Sequence, residues 1–247
     1  MMILSAIFLF IANTYSIVGF GGGSSYIALL VLFDQPIYLI PIIALICNII
    51  VVANGSFRFN SQGHLSMQHI LPFLITSLPM AYIGGRINVG VFYYQLVLAT
   101  CLMIAGLHII LSLKKYSDFA YSSPNRTLAL IIGAALGFIS GMVGIGGGIF
   151  LSPILYLLGW GNPKRIAASC SFFILLNSAA GLIGQYHKLS DEILLILNYW
   201  PLFVAVLIGG QLGSFIGAVK LKQRPIAIAT GMLIVIVSIR LYVNIFL

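Results

Sequence analysis

Two short runs of glycine are the residues in this sequence best suited to chemistry. Gly144-Ile145-Gly146-Gly147-Gly148 lies inside the apolar stretch Thr127 to Leu158, and Val18-Gly19-Phe20-Gly21-Gly22-Gly23 shows the same pattern 125 residues earlier. Each glycine costs a helix about 1 kcal/mol relative to alanine, so a regular helix is not expected to run through four of them in five positions. A helix that restarts after such a break presents free N–H groups and about half a positive charge at its N-terminus. Two such N-termini facing each other would hold an anion without any buried Lys or Arg. The candidate substrate-binding positions are therefore Gly21, Gly22 and Gly23 in the first run and Gly146, Gly147 and Gly148 in the second. Ser24 and Ser25 add hydroxyl donors to the first, where the second has Ile149 and Phe150. The other role open to these glycines is close helix packing.

The remaining polar residues in apolar stretches are few. Asn54 and Asn177 either bond a neighbouring helix or line a cavity. Ser169, Cys170 and Ser171 form a small-residue segment that shares that lining or packs. Cys47 and Cys170 contact a sulfur-containing solute or behave as small apolar residues. Arg86 follows Gly84-Gly85 and attracts an anion or snorkels to the interface. His108 lies within an apolar stretch, as a titrating group or a packing residue. All four acids, Asp34, Asp118, Asp191 and Glu192, fall in loops or at helix ends, which disfavours proton or sodium coupling through a buried carboxylate. No Cys-x-x-Cys, H-E-x-x-H, G-x-S-x-G or G-x-x-x-x-G-K-[ST] pattern occurs. Neither an enzyme, a metal site, a cofactor nor a nucleotide motor is expected.

The elements that must position these residues follow from composition. The chain has 247 residues, 61% hydrophobic and only 6% charged, too little charge to cover a soluble domain. Its apolar stretches approach or exceed the roughly 20 residues that cross a bilayer. An all-α, polytopic membrane protein is predicted. The net charge of +8 sits mainly in short loops, where the positive-inside rule operates, and does not indicate nucleic acid. Met1 to Val18 has no preceding basic residue and is taken as mature structure.

Eight helical stretches are predicted: Ile3–Phe33, broken at Gly19–Gly23; Ile37–Ala53; His69–Ile87, containing Pro72 and Pro79; Val91–Leu113; Thr127–Leu158, broken at Gly144–Gly148; Pro163–Ile183; Ile193–Val219; and Pro225–Phe246. The polar segment 114–126 divides the chain into a first transmembrane repeat, 1–113, and a second, 127–247. The halves share Pro36 and Pro163, Cys47 and Cys170, Asn54 and Asn177, His64 and His187, and the Ile-Gly-Gly of Ile83–Gly85 and Ile208–Gly210.

Charge distinguishes parallel from inverted repeats. If each broken helix crosses the membrane once, the twelve basic residues divide six against six. If each turns back at its glycines, Arg58, Lys114, Lys115, Arg126, Lys164, Arg165, Lys220, Lys222 and Arg224 share one side, against Arg86, Lys188 and Arg240. The second pattern fits the positive-inside rule and places both termini outside. Interrupted helices at matching positions of inverted halves point to a transporter's binding site.

The glycine runs, the four-plus-four layout, Pro36/Pro163 and Gly84-Gly85/Gly209-Gly210 resemble the TauE/SafE (DUF81, sulfite exporter) family over nearly the whole chain. The second glycine run followed by Pro153-Ile154-Leu155 is closest to the family's repeated motif, and Ala168-Ser169-Cys170-Ser171 is similar to its next-helix segment. The first copy departs from it, with Phe20 for an aliphatic residue and Ala28 where the second copy has Pro153. The resemblance implies a bacterial or archaeal plasma-membrane permease for small anions such as sulfite, sulfonates or other organosulfur compounds. The expected function is a secondary transporter binding its anion between the two breaks. A passive anion channel filtering at the same breaks is the alternative. The expected partners are the small anion and the lipid bilayer, with a second copy of the chain as a candidate.

Overall fold

The computed structural model describes the chain except residues 18, 62, 88–90, 113–124, 159–162, 187–192, 217–231, 233, 234, 237, 240, 244 and 247. Among the described residues every regular element is an α-helix: α1 (Met2–Ile17), α2 (Gly23–Leu32), α3 (Ile40–Ser61), α4 (Met67–Arg86), α5 (Val91–Ser112), α6 (Arg126–Val143), α7 (Gly148–Leu157), α8 (Pro163–Tyr186), α9 (Ile193–Leu197) and α10 (Trp200–Ile216). Three of them, over Ile40–Arg58, Arg126–Val143 and Lys164–Tyr186, are long and apolar enough to cross a membrane. Large side chains such as Phe10, Ile75, Ile131, Ile183 and Phe215 are exposed on the outer faces, as lipid contact requires.

Several boundaries differ from the sequence expectation. The second stretch runs eight residues past Ala53, to Ser61, because Asn54-Gly55-Ser56 packs against α8 instead of ending a helix. Gly55 lies where a Cβ would come 3.2 Å from Ser171 Oγ. The seventh stretch is two helices, α9 and α10, parted at Asn198-Tyr199, with Pro201 in the first turn of α10, where its missing N–H costs nothing. Leu113, residues 114–124 of the linker, His187 and most of the last stretch lie outside the described residues, as does the side chain of His108. The described part of the last stretch is helical and is tied to α5 through Ser238 Oγ on Ala99 O (2.7 Å) and Tyr242 OH with Thr100 Oγ1 (2.8 Å).

Small residues set the closest helix contacts. On α6, Gly133, Gly137 and Gly141 repeat every fourth residue, and a Cβ at each would fall on the carbonyl of Phe73, Ser77 or Ala81 of α4. Backbones approach this closely only where side chains are absent. Gly209 and Gly213 of α10 meet the carbonyls of Leu9 and Asn13 of α1 in the same way. Both registers ascend together, so α4 and α6 run in one direction, and so do α1 and α10. Val51 against Gly210 and Arg58 over the Phe215 ring (5.9 Å) place α3 parallel to α10.

The C-terminal end of α8 meets that of α4, with Gly85 against Gly181 and Gly184 against Tyr82. Cys170 and Phe173 share a core with Ile70 and Phe73 of α4 and Ala129 of α6, so α8 runs with α4 and α6. Between these two sets α3 and α8 are antiparallel: Leu45 lies by Gly181, while Val52 and Ser56 lie by Ser171.

Candidate functional site

Both glycine runs lie between helices. In the first, α1 stops at Ile17 and α2 starts at Gly23, capped by Gly22 at φ 88°. In the second, α6 ends at Gly144, also at φ 88°, whose N–H donates to Ser140 O (2.8 Å), and α7 starts at Gly148 after Gly146 (φ 82°) and Gly147 (φ 74°). Such φ values suit glycine alone among common residues. The hydrogen bonding matches between the two. Ser25 and Tyr26 N–H donate to Gly22 O (3.0 Å each), and Phe150 and Leu151 N–H donate to Gly147 O (3.2 and 3.1 Å). The groups just ahead of them, on Gly23, Ser24, Gly148 and Ile149, open their helices and have no carbonyl one turn earlier to bond.

The two breaks meet at Asn48 of α3. Its side chain is fully buried, and Nδ2 donates to Ile145 O in the second break at 3.0 Å. A Cβ on Gly21 or Gly23 would run into this amide, and one on Gly23 would also stand 2.6 Å from Ile145 O. Gly146 lies where a Cβ would be 2.9 Å from Asn48 Nδ2, from Ile174 Cγ2 and from Ser178 Oγ. A cavity of about 10 Å³ opens at this junction, with Tyr15, Phe20, Gly21, Gly22, Gly23 and Ser24 on one side and Ile145, Ile149 and Ile174 on the other. That is room for about one water molecule.

Buried polar atoms without partners gather at the junction. Among the described residues there are seven such atoms: Ser77 Oγ, Asn177 Oδ1 and Gln185 Oε1 lie elsewhere, while Asn48 Oδ1, Tyr26 OH, Ser140 Oγ and Ser178 Oγ belong to residues that lie against break glycines, Gly21 and Gly23, Gly22, Gly147, and Gly146 respectively. Buried groups are normally satisfied, so these four, each beside a glycine of one of the breaks, set the junction apart from an ordinary apolar helix contact.

The structure brings some of the sequence-predicted residues here and leaves others elsewhere. Gly21, Gly22, Gly23 and Ser24 line the cavity. Ser25 is one step back, its Oγ bonded with Tyr15 OH (2.9 Å). Gly147 packs on Phe173 and Ser140, and Gly148 on Ile174 and the Cys170 carbonyl. Cys170 is buried beside Ser152, and Ser169 is buried; neither they nor Cys47 line the cavity. Ser171 ties α8 to α3 through Ser56 Oγ (3.1 Å) and Val52 O (3.4 Å). Asn177 Nδ2 donates to Phe173 O of its own helix (2.9 Å). Asn54 lies six residues past Asn48, about 9 Å farther along the axis and on a different face. Arg86 is exposed, its guanidinium donating to Tyr82 OH (3.2 Å).

Asn48 is not among the residues that the sequence pattern points to, because no amide stands at the matching position of the other half. Ile174 packs on both Gly146 and Gly148, and Gly146 also meets Asn48 itself and Ser178, so the second half sets no amide of its own against its break. An amide next to Cys47 inside a long apolar helix was the available signal. Gln185 was likewise passed over: its Nε2 donates to Gly141 O (2.9 Å) and Met142 O (3.3 Å), satisfying the end of α6.

Comparison with known proteins identifies the family. A family model described as "Sulfite exporter TauE/SafE" matches residues 4–241. The "Probable membrane transporter protein y4hK" of Sinorhizobium fredii is 31% identical over 96% of both chains. The "Probable membrane transporter protein YunE" of Bacillus subtilis is 26% identical over 48% of this chain and 42% of its own. "Sulfite exporter TauE/SafE family protein 1" of Arabidopsis thaliana is 32% identical over 34% of this chain and 19% of its own. No solved structure matches. The family model spans almost the whole chain, both breaks included, and the chain belongs to the sulfite exporter TauE/SafE family.

Proposed function

We propose that this protein is a secondary transporter that carries a small anion, such as sulfite, a sulfonate or another organosulfur compound, by alternating access. The anion sits between the two breaks, held by the opening N–H groups of α2 and α7 with Ser24 and the Asn48 amide. The observation that carries this is the convergence of both breaks on Asn48 and one small cavity, with unpartnered buried polar atoms on residues that pack against the break glycines. Helix N-termini are favourable anion sites, and irregular backbone at membrane depth is tolerated beside such a cavity.

In this scheme the halves 1–113 and 127–247 are inverted repeats whose short helices turn back. Support comes from the stacked rings of Phe8 and Tyr26 (4.7 Å), which a straight continuation of α1 into α2 would hold about 27 Å apart. Ser152 of α7 beside Cys170, with Gly148 beside Ile174, runs α7 opposite to α8 and hence to α6. The counterpart helices α3 and α8 are antiparallel, as inversion requires. The bodies that rock are then two mixed sets, α1–α3–α10 and α4–α6–α8, because the close glycine contacts join helices from opposite halves.

Counterflow in proteoliposomes tests the function. Labelled sulfite or sulfonate driven inward by unlabelled anion, with saturation, is the expected result; ohmic current without counterflow would make the protein a channel. Cysteine labelling tests the topology, with positions 115 and 164 expected on one face. Labelling from opposite faces would exclude inversion.

A further inference from the structure

Building on that transporter reading, we infer that the two ends of the seam between α3 and α8 are its two gates, and that the hydroxyl pair Ser56 and Ser171 is the gate on the face that carries Arg58 and Lys164. Alternating access requires the set α1–α3–α10 to part from α4–α6–α8 on one side of the junction and then on the other. The contacts that must part lie along one stripe of α3. Pro41 packs on Gly144 and Leu45 on Gly181; Asn48 stands at the junction; Val52 and Ser56 lie against Ser171. Positions 41, 45, 48, 52 and 56 are spaced by three or four residues, which keeps them on one helix face. Because α3 and α8 are antiparallel, α8 meets this stripe in reverse order, with Gly181 at one end, Ile174 and Ser178 by the second break and Ser171 at the other end. A closure therefore stands on each side of the junction, and both are shut in this structure.

The closure at the Arg58 end is hydrogen-bonded. Ser171 Oγ lies 3.1 Å from Ser56 Oγ and 3.4 Å from Val52 O, and all three residues are buried. A hydroxyl has one proton; that of Ser171 goes to Val52 O, so Ser56 is the donor to Ser171. Gly55 lets the helices come this close, since a Cβ there would stand 3.2 Å from Ser171 Oγ. Such a closure opens without orphaning a group. A serine in a helix can donate to the carbonyl one turn earlier, which is Val52 O for Ser56 and Ala167 O for Ser171. Opening exchanges bonds between helices for bonds within them, and an interhelical hydrogen bond in a membrane biases an equilibrium only about threefold. The closure at the other end is one of packing, with Leu45 fully buried beside Gly181 and the Pro41 backbone against Gly144.

Disulfide trapping in the full chain, with Cys47, Cys101 and Cys170 replaced by alanine, tests this. Ser24→Cys, at a position that lines the cavity, reports access when a membrane-impermeant thiol reagent is added to one face or the other of vesicles of known orientation. Ser56→Cys with Ser171→Cys should link on oxidation, because the two hydroxyl oxygens already lie 3.1 Å apart. The link should lower labelling from the Arg58 face at least about tenfold and leave labelling from the opposite face within about twofold, since a disulfide does not rearrange in the seconds that labelling takes. It should also abolish counterflow until a reductant restores it. Should the linked pair not fold, Ser171→Ala, which removes both bonds, should raise labelling from the Arg58 face about three- to tenfold and leave the other face unchanged. Failure to link under oxidant, a linked chain that exchanges anion at the unlinked rate, or labelling from the Arg58 face unmoved by both variants would overturn the gate while leaving an anion transporter in place. No counterflow of any anion by the unsubstituted chain would remove the transporter reading, and this inference with it.

Discussion

The two breaks share a backbone and differ in side chains. Gly22 and Gly147 both take positive φ (88° and 74°) and both accept the next helix's first two N–H bonds. The residues that follow are Ser24-Ser25 in one and Ile149-Phe150 in the other; Asn48 faces both breaks, and Ile174 packs on Gly146 and Gly148 of the second. What the breaks have in common is therefore the main-chain geometry. The difference lies in the side chains set on that backbone: hydroxyls follow the first break and apolar residues the second, while Asn48 lies against both.

The strongest way to break that comparison is to remove the shared part. Gly22→Leu and Gly147→Leu should each lower counterflow at least about 100-fold, because a branched side chain at positive φ is strained and would press on Tyr26 and Ile11 or on Phe173 and Ser140. Membrane insertion, followed by fluorescence size exclusion, should persist. Loss in only one variant would mean that the breaks are not equivalent.

The next test sharpens the difference. Asn48→Leu removes the donor to Ile145 O and is expected to cut transport about tenfold, the scale of one lost hydrogen bond. Ile174→Leu conserves volume and should change transport less than about twofold. Equal losses would show that Asn48 and Ile174 contribute alike.

Smaller effects separate scaffold from site. Gly137→Leu in α6 and Gly213→Leu in α10 overpack their contacts with Ser77 and Asn13 and should each destabilise by about 1–3 kcal/mol, read as a lower thermal midpoint. The smallest expected loss is Ser25→Ala, at about 1 kcal/mol for its bond to Tyr15. An unchanged midpoint would assign that bond no structural weight.

Much of the fold was legible in the chain because the bilayer allows so few solutions. With 61% apolar residues and 6% charge, backbone in lipid must be hydrogen-bonded within the protein, which long unbroken apolar runs achieve as helices, and the same local rule exposes the glycine runs as interruptions. Helix ends were less legible. Asn54-Gly55 reads as a terminus by propensity, yet α3 continues to Ser61 because packing against Ser171 outweighs local preference. The split between α9 and α10 was hidden in a uniformly apolar run.

The site divides along the same line. From the sequence alone came the helical membrane character, the places where helix must fail, and the family resemblance, since each depends on local composition and spacing. Only the tertiary structure decided that the two failures meet, that Asn48 and not Asn54 stands between them, and that Ile174 packs on the second. Those facts depend on the register of α3 against α8. That register is set by side chains far apart in the chain, such as Leu45 with Gly181 and Ser56 with Ser171, and no one-dimensional pattern encodes it.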